Sequence, residues 1–373
     1  MSVKILVFLG LCAFASAEIH SRFVSLRLDH YNPLDRRTFE ARYFFNGEHY
    51  FAGGPIFIYV GGGTEFYEDF LERGAVFEIA RDTRGHLFNL EHRYFGQSHP
   101  TQNTSVENLQ WLTIHQALGD LAQFINFIRA NYYGASASQV ILWGKGYGGS
   151  LAVWARQKYP HLVSGVWASS APINAVMEFP ELMSNTFGTI TSIGGDSCGE
   201  VLQGAFQMIE NAIRLRNTSY VEERLNLCSP IDINAEEEIS RLFYGLASDI
   251  AYTFVSHSRY PEIDEKCIIM QGLNDPDTPA QNSLDAFARW FVDDFKQNFE
   301  CLEYSNENFI NRYSNIEWDS AASLGGRRQN FWLQCTQLGQ FGVSNDGNRH
   351  AFGWRFDANF FRRWCAHIFD ENL

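Results

Sequence analysis

The chain has 373 residues, 45% hydrophobic and 19% charged, too apolar for a disordered chain and long enough to bury one large core or two smaller ones. With 29 Lys and Arg against 43 Asp and Glu the net charge is −14, which argues against a nucleic-acid partner held through its phosphates. The 30 glycines follow no short period and aromatic residues reach 15%, so repeat and low-complexity architectures are excluded and a compact, aromatic-rich globule is expected.

Residues Met1–Ala17 carry Lys4, an apolar run from Ile5 to Phe14 and the small residues Ala15, Ser16 and Ala17, the pattern of a secretory signal peptide. That run is about half the ~20 residues needed to cross a bilayer and no later segment reaches that length, so no membrane partner is expected. Removing the leader takes Cys12 with it and leaves six cysteines, Cys198, Cys228, Cys267, Cys301, Cys335 and Cys365, suited to disulfides in an oxidising compartment. Spacing does not select among their pairings, and with no CxxC or CxxxH a structural zinc site is not expected; no other metal and no cofactor is expected either. Asn103-Thr104-Ser105 and Asn217-Thr218-Ser219 are glycosylation sequons consistent with export.

Next in chain order, Pro55–Gly63 reads as a buried strand running into a glycine loop, and His86–Glu91 as a second strand. Ile114–Ala130 has Leu118, Leu121, Phe124 and Ile125 at helical spacing. Gln139–Trp143 is strand-like, Ser150–Lys158 helical and Gly165–Ser169 strand-like. This alternation predicts a parallel α/β sheet over residues 18–172. From 173 to 325 long helical segments, Val201–Leu215, Glu236–Tyr252 and Ser283–Phe295, predict a helical cap. Residues 326–373 are expected to return in part to the sheet layer.

Between strand and helix lies Gly144-Lys145-Gly146-Tyr147-Gly148-Gly149-Ser150. It has the form of a nucleophile elbow, G-x-S-x-G, whose small residues permit the sharp turn that lifts a reactive side chain above the sheet. Gly146 stands at the apex and offers no oxygen to attack a carbonyl. The plain alternative is a Gly-rich turn with no further meaning. A phosphate loop fits poorly, because Lys145 precedes the turn and no Ser or Thr directly follows a lysine.

The run from Gly144 to Val163, followed by Ala168-Ser169-Ser170-Ala171-Pro172, resembles the active-site block of the S28 serine peptidases: prolyl carboxypeptidases, dipeptidyl peptidase II and thymus-specific serine protease. Leu28-Asp29-His30-Tyr31-Asn32, Thr38–Phe44, Glu91–Ser98, Gln116–Ala122 and Gln334-Cys335-Thr336 agree with it, so the resemblance runs from about Phe23 to Cys365. It implies an α/β-hydrolase domain with a helical cap, secreted or lysosomal, cleaving short peptides beside proline or a small residue. It also implies a Cys335–Cys365 disulfide, with the other four cysteines crosslinking the cap. The backbone N–H of Tyr147 and the Gly61–Gly63 loop, through Gly62, are the implied oxyanion donors, the loop having an equal claim as a simple tight turn.

In active members Ser, Asp and His follow in chain order. Here Gly146 takes the place of the serine, and the acid and histidine blocks, expected after Cys365, are not found, so the C-terminal strands of the sheet are expected to be missing. Gln271–Asp277 looks like the acid block but lies between Cys267 and Cys301, where a turn or helix-start role is expected. Ser150 is one helical turn past the apex and reads as a helix-packing residue. His161, His257, His350 and His367 have no visible partner. Glu91, His92 and Arg93 read as a structural ion-pair cluster ending a strand.

The expected function is therefore a secreted S28-type exopeptidase homologue that has lost catalysis, a pseudo-peptidase that retains short peptides as partners. One alternative is an active serine peptidase whose gene model is misassembled or truncated. Another is an interaction protein that forms a homodimer, or a heterodimer with an active family member, through an uncovered sheet edge.

Overall fold

The computed structural model describes residues 19–64, 68–252, 260–272, 282–296, 300–344 and 351–371. The leader Met1–Ala17, His257, His350 and the Leu273–Asp277 part of the acid-like block lie outside the described residues. The chain divides into two compact units, one of residues 1–102 and 111–173, the other of residues 103–110 and 174–373.

The first unit is an α/β-hydrolase-like domain. Strands β1 (His20–Arg27), β2 (Thr38–Asn46), β3 (Ile56–Val60), β4 (His86–Leu90), β5 (Val140–Lys145) and β6 (Gly165–Ser169) form one sheet in the order β1-β2-β4-β3-β5-β6. The expected parallel sheet is present from β4 through β3 and β5 to β6. Two strands that the sequence reading does not name, β1 and β2, extend it antiparallel. Central β4 is buried along its whole length, as a strand covered on both faces must be.

Helices α1 (Ala75–Asp82), α2 (Ile114–Asn131) and α3 (Tyr147–Lys158) complete this unit. Thr113 caps α2 by accepting the N–H of Gln116. Leu118, Leu121, Phe124 and Ile125 of α2 then meet Leu151 and Ala152 of α3 and Ile58 and Leu142 of the sheet in one core. A smaller core lines the other face, where Val76 and Ala80 of α1 meet Phe44, Phe57 and Leu87. At the end of the sheet β6 pairs with β5 alone among the described residues, and its Trp167 is 48% exposed.

The second unit is helical: α4 (Glu181–Gly194), α5 (Asp196–Arg214), α6 (Glu236–Ile250), α7 (Tyr260–Gln271), α8 (Ser283–Lys296), α9 (Asn306–Ser314) and α10 (Ala358–Ile368), with shorter helices between them. Its core joins Leu202, Phe206, Phe243, Phe287 and Trp364. Disulfides Cys198–Cys267, Cys228–Cys301 and Cys335–Cys365 all lie in this unit.

Two boundaries differ from expectation. Residues 326–373 group with the helical unit, and Gly339–Phe341 (β8) pairs with Val176–Glu178 (β7) in a separate two-stranded sheet. The reason is packing, since Phe341 stacks on Phe361 and Phe331 meets Trp364. Residues 103–110 also join the helical unit, because the buried guanidinium of Arg328 donates to the Thr104 carbonyl and the Thr104 N–H donates to Ile316.

Candidate active site

The turn after β5 has the shape expected of a nucleophile elbow. Gly146 is the N-cap of α3, at φ 55° and ψ −131°, a left-handed conformation that side chains resist. Its N–H donates to the Ser169 carbonyl at the end of β6, and its carbonyl accepts the N–H of Ser150, so strand and helix both hold the bend. A Cβ at position 146 would meet nothing within 4 Å among the described residues. The neighbours differ: a Cβ on Gly144 would come within 2.6 Å of Gly148, and one on Gly148 would strike the Val60 carbonyl. These glycines let β3, β5 and α3 approach closely.

Gly62, in the loop after β3, lies against the Gly148 backbone, which brings that loop beside the first turn of α3. Tyr147 follows the apex, and as the first helical residue its N–H has no acceptor within the helix. Ser150 is fully buried and its hydroxyl faces the Gly146 carbonyl at 3.5 Å, which leaves it no route to a substrate.

Behind the elbow, the end of β4 supplies a buried polar cluster. Arg42 pairs with Glu91, whose carboxylate also accepts the Ser98 hydroxyl and the Gln97 N–H. Arg93 makes a bidentate pair with Asp120, at 2.6 and 2.7 Å, and donates to the carbonyls of Leu28, Trp111 and Arg27. His30 reaches the same Asp120 carboxylate at 2.7 Å. Burial pushes the Asp120 carboxyl up, but the charge and hydrogen bonds of Arg93, joined by His30, hold it below the usual carboxylate range.

His92 was not singled out from the sequence as a partner of the elbow, yet it touches the residue after the apex. Its Nδ1 faces the Arg93 carbonyl at 2.7 Å and so carries the proton, and Nε2 accepts the Tyr147 hydroxyl at 3.2 Å. Burial depresses the imidazole to about 4 and raises the Tyr147 phenol above its ordinary value. The pair is neutral and serves to pin the start of α3. The Glu-His-Arg run was the available signal, but pairing across 55 residues cannot be read from spacing.

The remaining candidates are dispersed. His161 is exposed, and His367 is exposed beside Glu237 at 3.7 Å. Gln271 ends α7 and donates to the Ser197 hydroxyl. Asn217 is exposed after α5, whereas Asn103 is partly buried and its amide oxygen accepts from Ser105 and Asn108. Among the described residues no group of three or more His, Cys, Asp or Glu side chains could hold a metal, and no helix is long and apolar enough to cross a membrane. Beside the elbow, Tyr59, Phe70, Trp143 and Trp167 line an apolar cavity of about 260 Å³ with Lys145 at its edge.

Residues 26–373 match the family model described as serine carboxypeptidase S28. The bovine (Bos taurus) lysosomal Pro-X carboxypeptidase is 30% identical over 76% of this chain and 60% of its own length. The mouse (Mus musculus) thymus-specific serine protease is 28% identical over 92% of this chain and 68% of its own length. A Caenorhabditis elegans serine protease is 27% identical over 96% of this chain and 68% of its own length. The chain thus spans about two thirds or less of the length of these relatives.

Proposed function

Because the chain belongs to the serine carboxypeptidase S28 family, we propose that it is a non-catalytic member that binds short peptides at the elbow and does not cleave them. One observation carries this reading: the apex of an intact elbow is Gly146, which has no oxygen to form an acyl intermediate. Loss of a catalytic serine lowers kcat by about 10⁶-fold in serine peptidases, and the oxyanion donors that remain supply only a residual ~10³ to 10⁴ over water. Tyr147 and Gly62 are the residues proposed to keep that oxyanion role. The apolar cavity beside the elbow gives a peptide side chain somewhere to sit.

The destination proposed is the secretory route, ending outside the cell or in the lysosome, with a glycan at exposed Asn217 more than at half-buried Asn103. The decisive experiment incubates the purified protein with proline-containing peptides and with a fluorophosphonate. We expect no hydrolysis and no labelled hydroxyl. A covalent adduct traced by mass spectrometry to one side chain would overturn the reading and favour an active peptidase.

A second reading, pairing with another copy or with an active family member, is favoured by β6, which pairs with β5 alone among the described residues, and by its exposed Trp167. A strictly monomeric protein at micromolar concentration in sizing experiments would remove it.

A further inference from the structure

The helical unit contains an arginine that no carboxylate contacts directly among the described residues. Helix α6 turns its apolar stripe, including Leu242, Phe243 and Leu246, into the core. Its second stripe, Arg241, Tyr244, Gly245, Ser248 and Asp249, follows the i, i+3, i+4, i+7, i+8 spacing of one helix face and lines a cavity of about 310 Å³. The Arg241 guanidinium lies over the rings of Tyr304, Phe309 and Trp364, at 5.4, 5.1 and 5.8 Å from their centroids. It forms no hydrogen bond or ion pair among the described residues, and its buried Nε has no acceptor. Burial lowers its pKa from the ordinary value, the mark of a charge deprived of water.

The space for this guanidinium is built into the helix. A Cβ on Gly245, one turn along from Arg241, would collide with Arg241 Nη1 and with the Tyr304 ring. An arginine kept only for packing would reach solvent or a carboxylate, because a desolvated, unpaired charge is costly. Asp249 attracts the guanidinium only through space, with no hydrogen bond or ion pair between them: its carboxylate accepts the Tyr304 hydroxyl at 2.7 Å, and burial raises its own pKa. Arg327 adds a second cation, exposed at the rim. Two cations against one acid suit a single negative charge and disfavour a doubly charged phosphate. Phe331, Phe341 and Trp364 make the rest of the wall apolar.

We propose that this cavity binds a monocarboxylate carrying an aromatic or branched apolar group, with Arg241 as its anchor. The guanidinium fork takes the carboxylate through paired N–H donors while its face stays on the aromatic rings. The apolar group lies against Phe331 and Phe341. This site is independent of the elbow and of whether the chain is catalytic.

The test titrates the full chain with benzoate and with benzamide, its uncharged isostere, by ligand-observed NMR at neutral pH. Saturable benzoate binding is expected, with benzamide weaker by at least about tenfold. Arg241→Met abolishes binding, and Gly245→Ala, which keeps the arginine but fills its space, weakens it. Absence of benzoate binding up to about 10 mM, equal binding of benzamide, or undiminished binding by Arg241→Met with native circular dichroism would each overturn the proposal. The amide comparison decides the question even where a variant fails to fold.

Discussion

At position 146 the strain lies in the backbone, because a Cβ there is unobstructed but the φ of 55° is one that side chains avoid. Gly146→Ser should therefore fold, at a cost of roughly 1–3 kcal/mol, read as a lower urea midpoint with an unchanged slope. Two buried histidines set a different dependence. His86 is stacked on Tyr50 and packed against Phe88, with neither ring nitrogen bonded among the described residues, and burial lowers it to about 4, as it does His92. Unfolding returns both to their ordinary 6.5, so below that value the unfolded chain takes up protons that the folded chain refuses. Stability is full above about pH 6.5 and falls towards about pH 4, by roughly 3 kcal/mol for each group. Asp120, held low by Arg93, adds a loss in the same direction at still lower pH. Urea midpoints should thus drop from pH 7 to pH 5, and His86→Phe should remove about half of that drop; an unchanged slope would contradict the burial account.

At the scale of the element, the turn from β5 to α3 depends on backbone approach. Gly148→Ala drives a methyl into the Val60 carbonyl, so it should cost more than Gly146→Ala, by about 1–3 kcal/mol in denaturant titrations. Equal costs would mean that β3 and α3 can separate freely. The sheet from β3 to β6 and helix α2 were legible because Ile58, Leu142 and the Leu118–Ile125 stripe repeat with strand or helix period. Strand β2 was not, because Arg42 interrupts its apolar pattern and is buried in a pair with Glu91 that lies 49 residues away in the chain. The grouping of residues 103–110 was equally hidden, resting on Arg328, 224 residues away. In the site, the glycine at position 146 could be read directly, whereas nothing in the sequence marked Arg241, whose setting depends on the fold bringing three rings to it.

For the whole molecule, covalent reinforcement is uneven. The three disulfides span 69, 73 and 30 residues, all in the helical unit, and each closes a loop worth about 4 kcal/mol against the unfolded chain. Under a thiol reductant, amide exchange should accelerate across residues 174–371 and leave the α/β-hydrolase-like unit protected; uniform acceleration would show that the two units unfold together. That unit is fastened by charge instead. Arg93 ties the exit of β1, the approach to α2 and Asp120 to the end of β4, all from beneath the bend. Foundation and apex are thereby separate: the summit can change without toppling the architecture, while a neutral replacement of this one guanidinium should be lethal to folding.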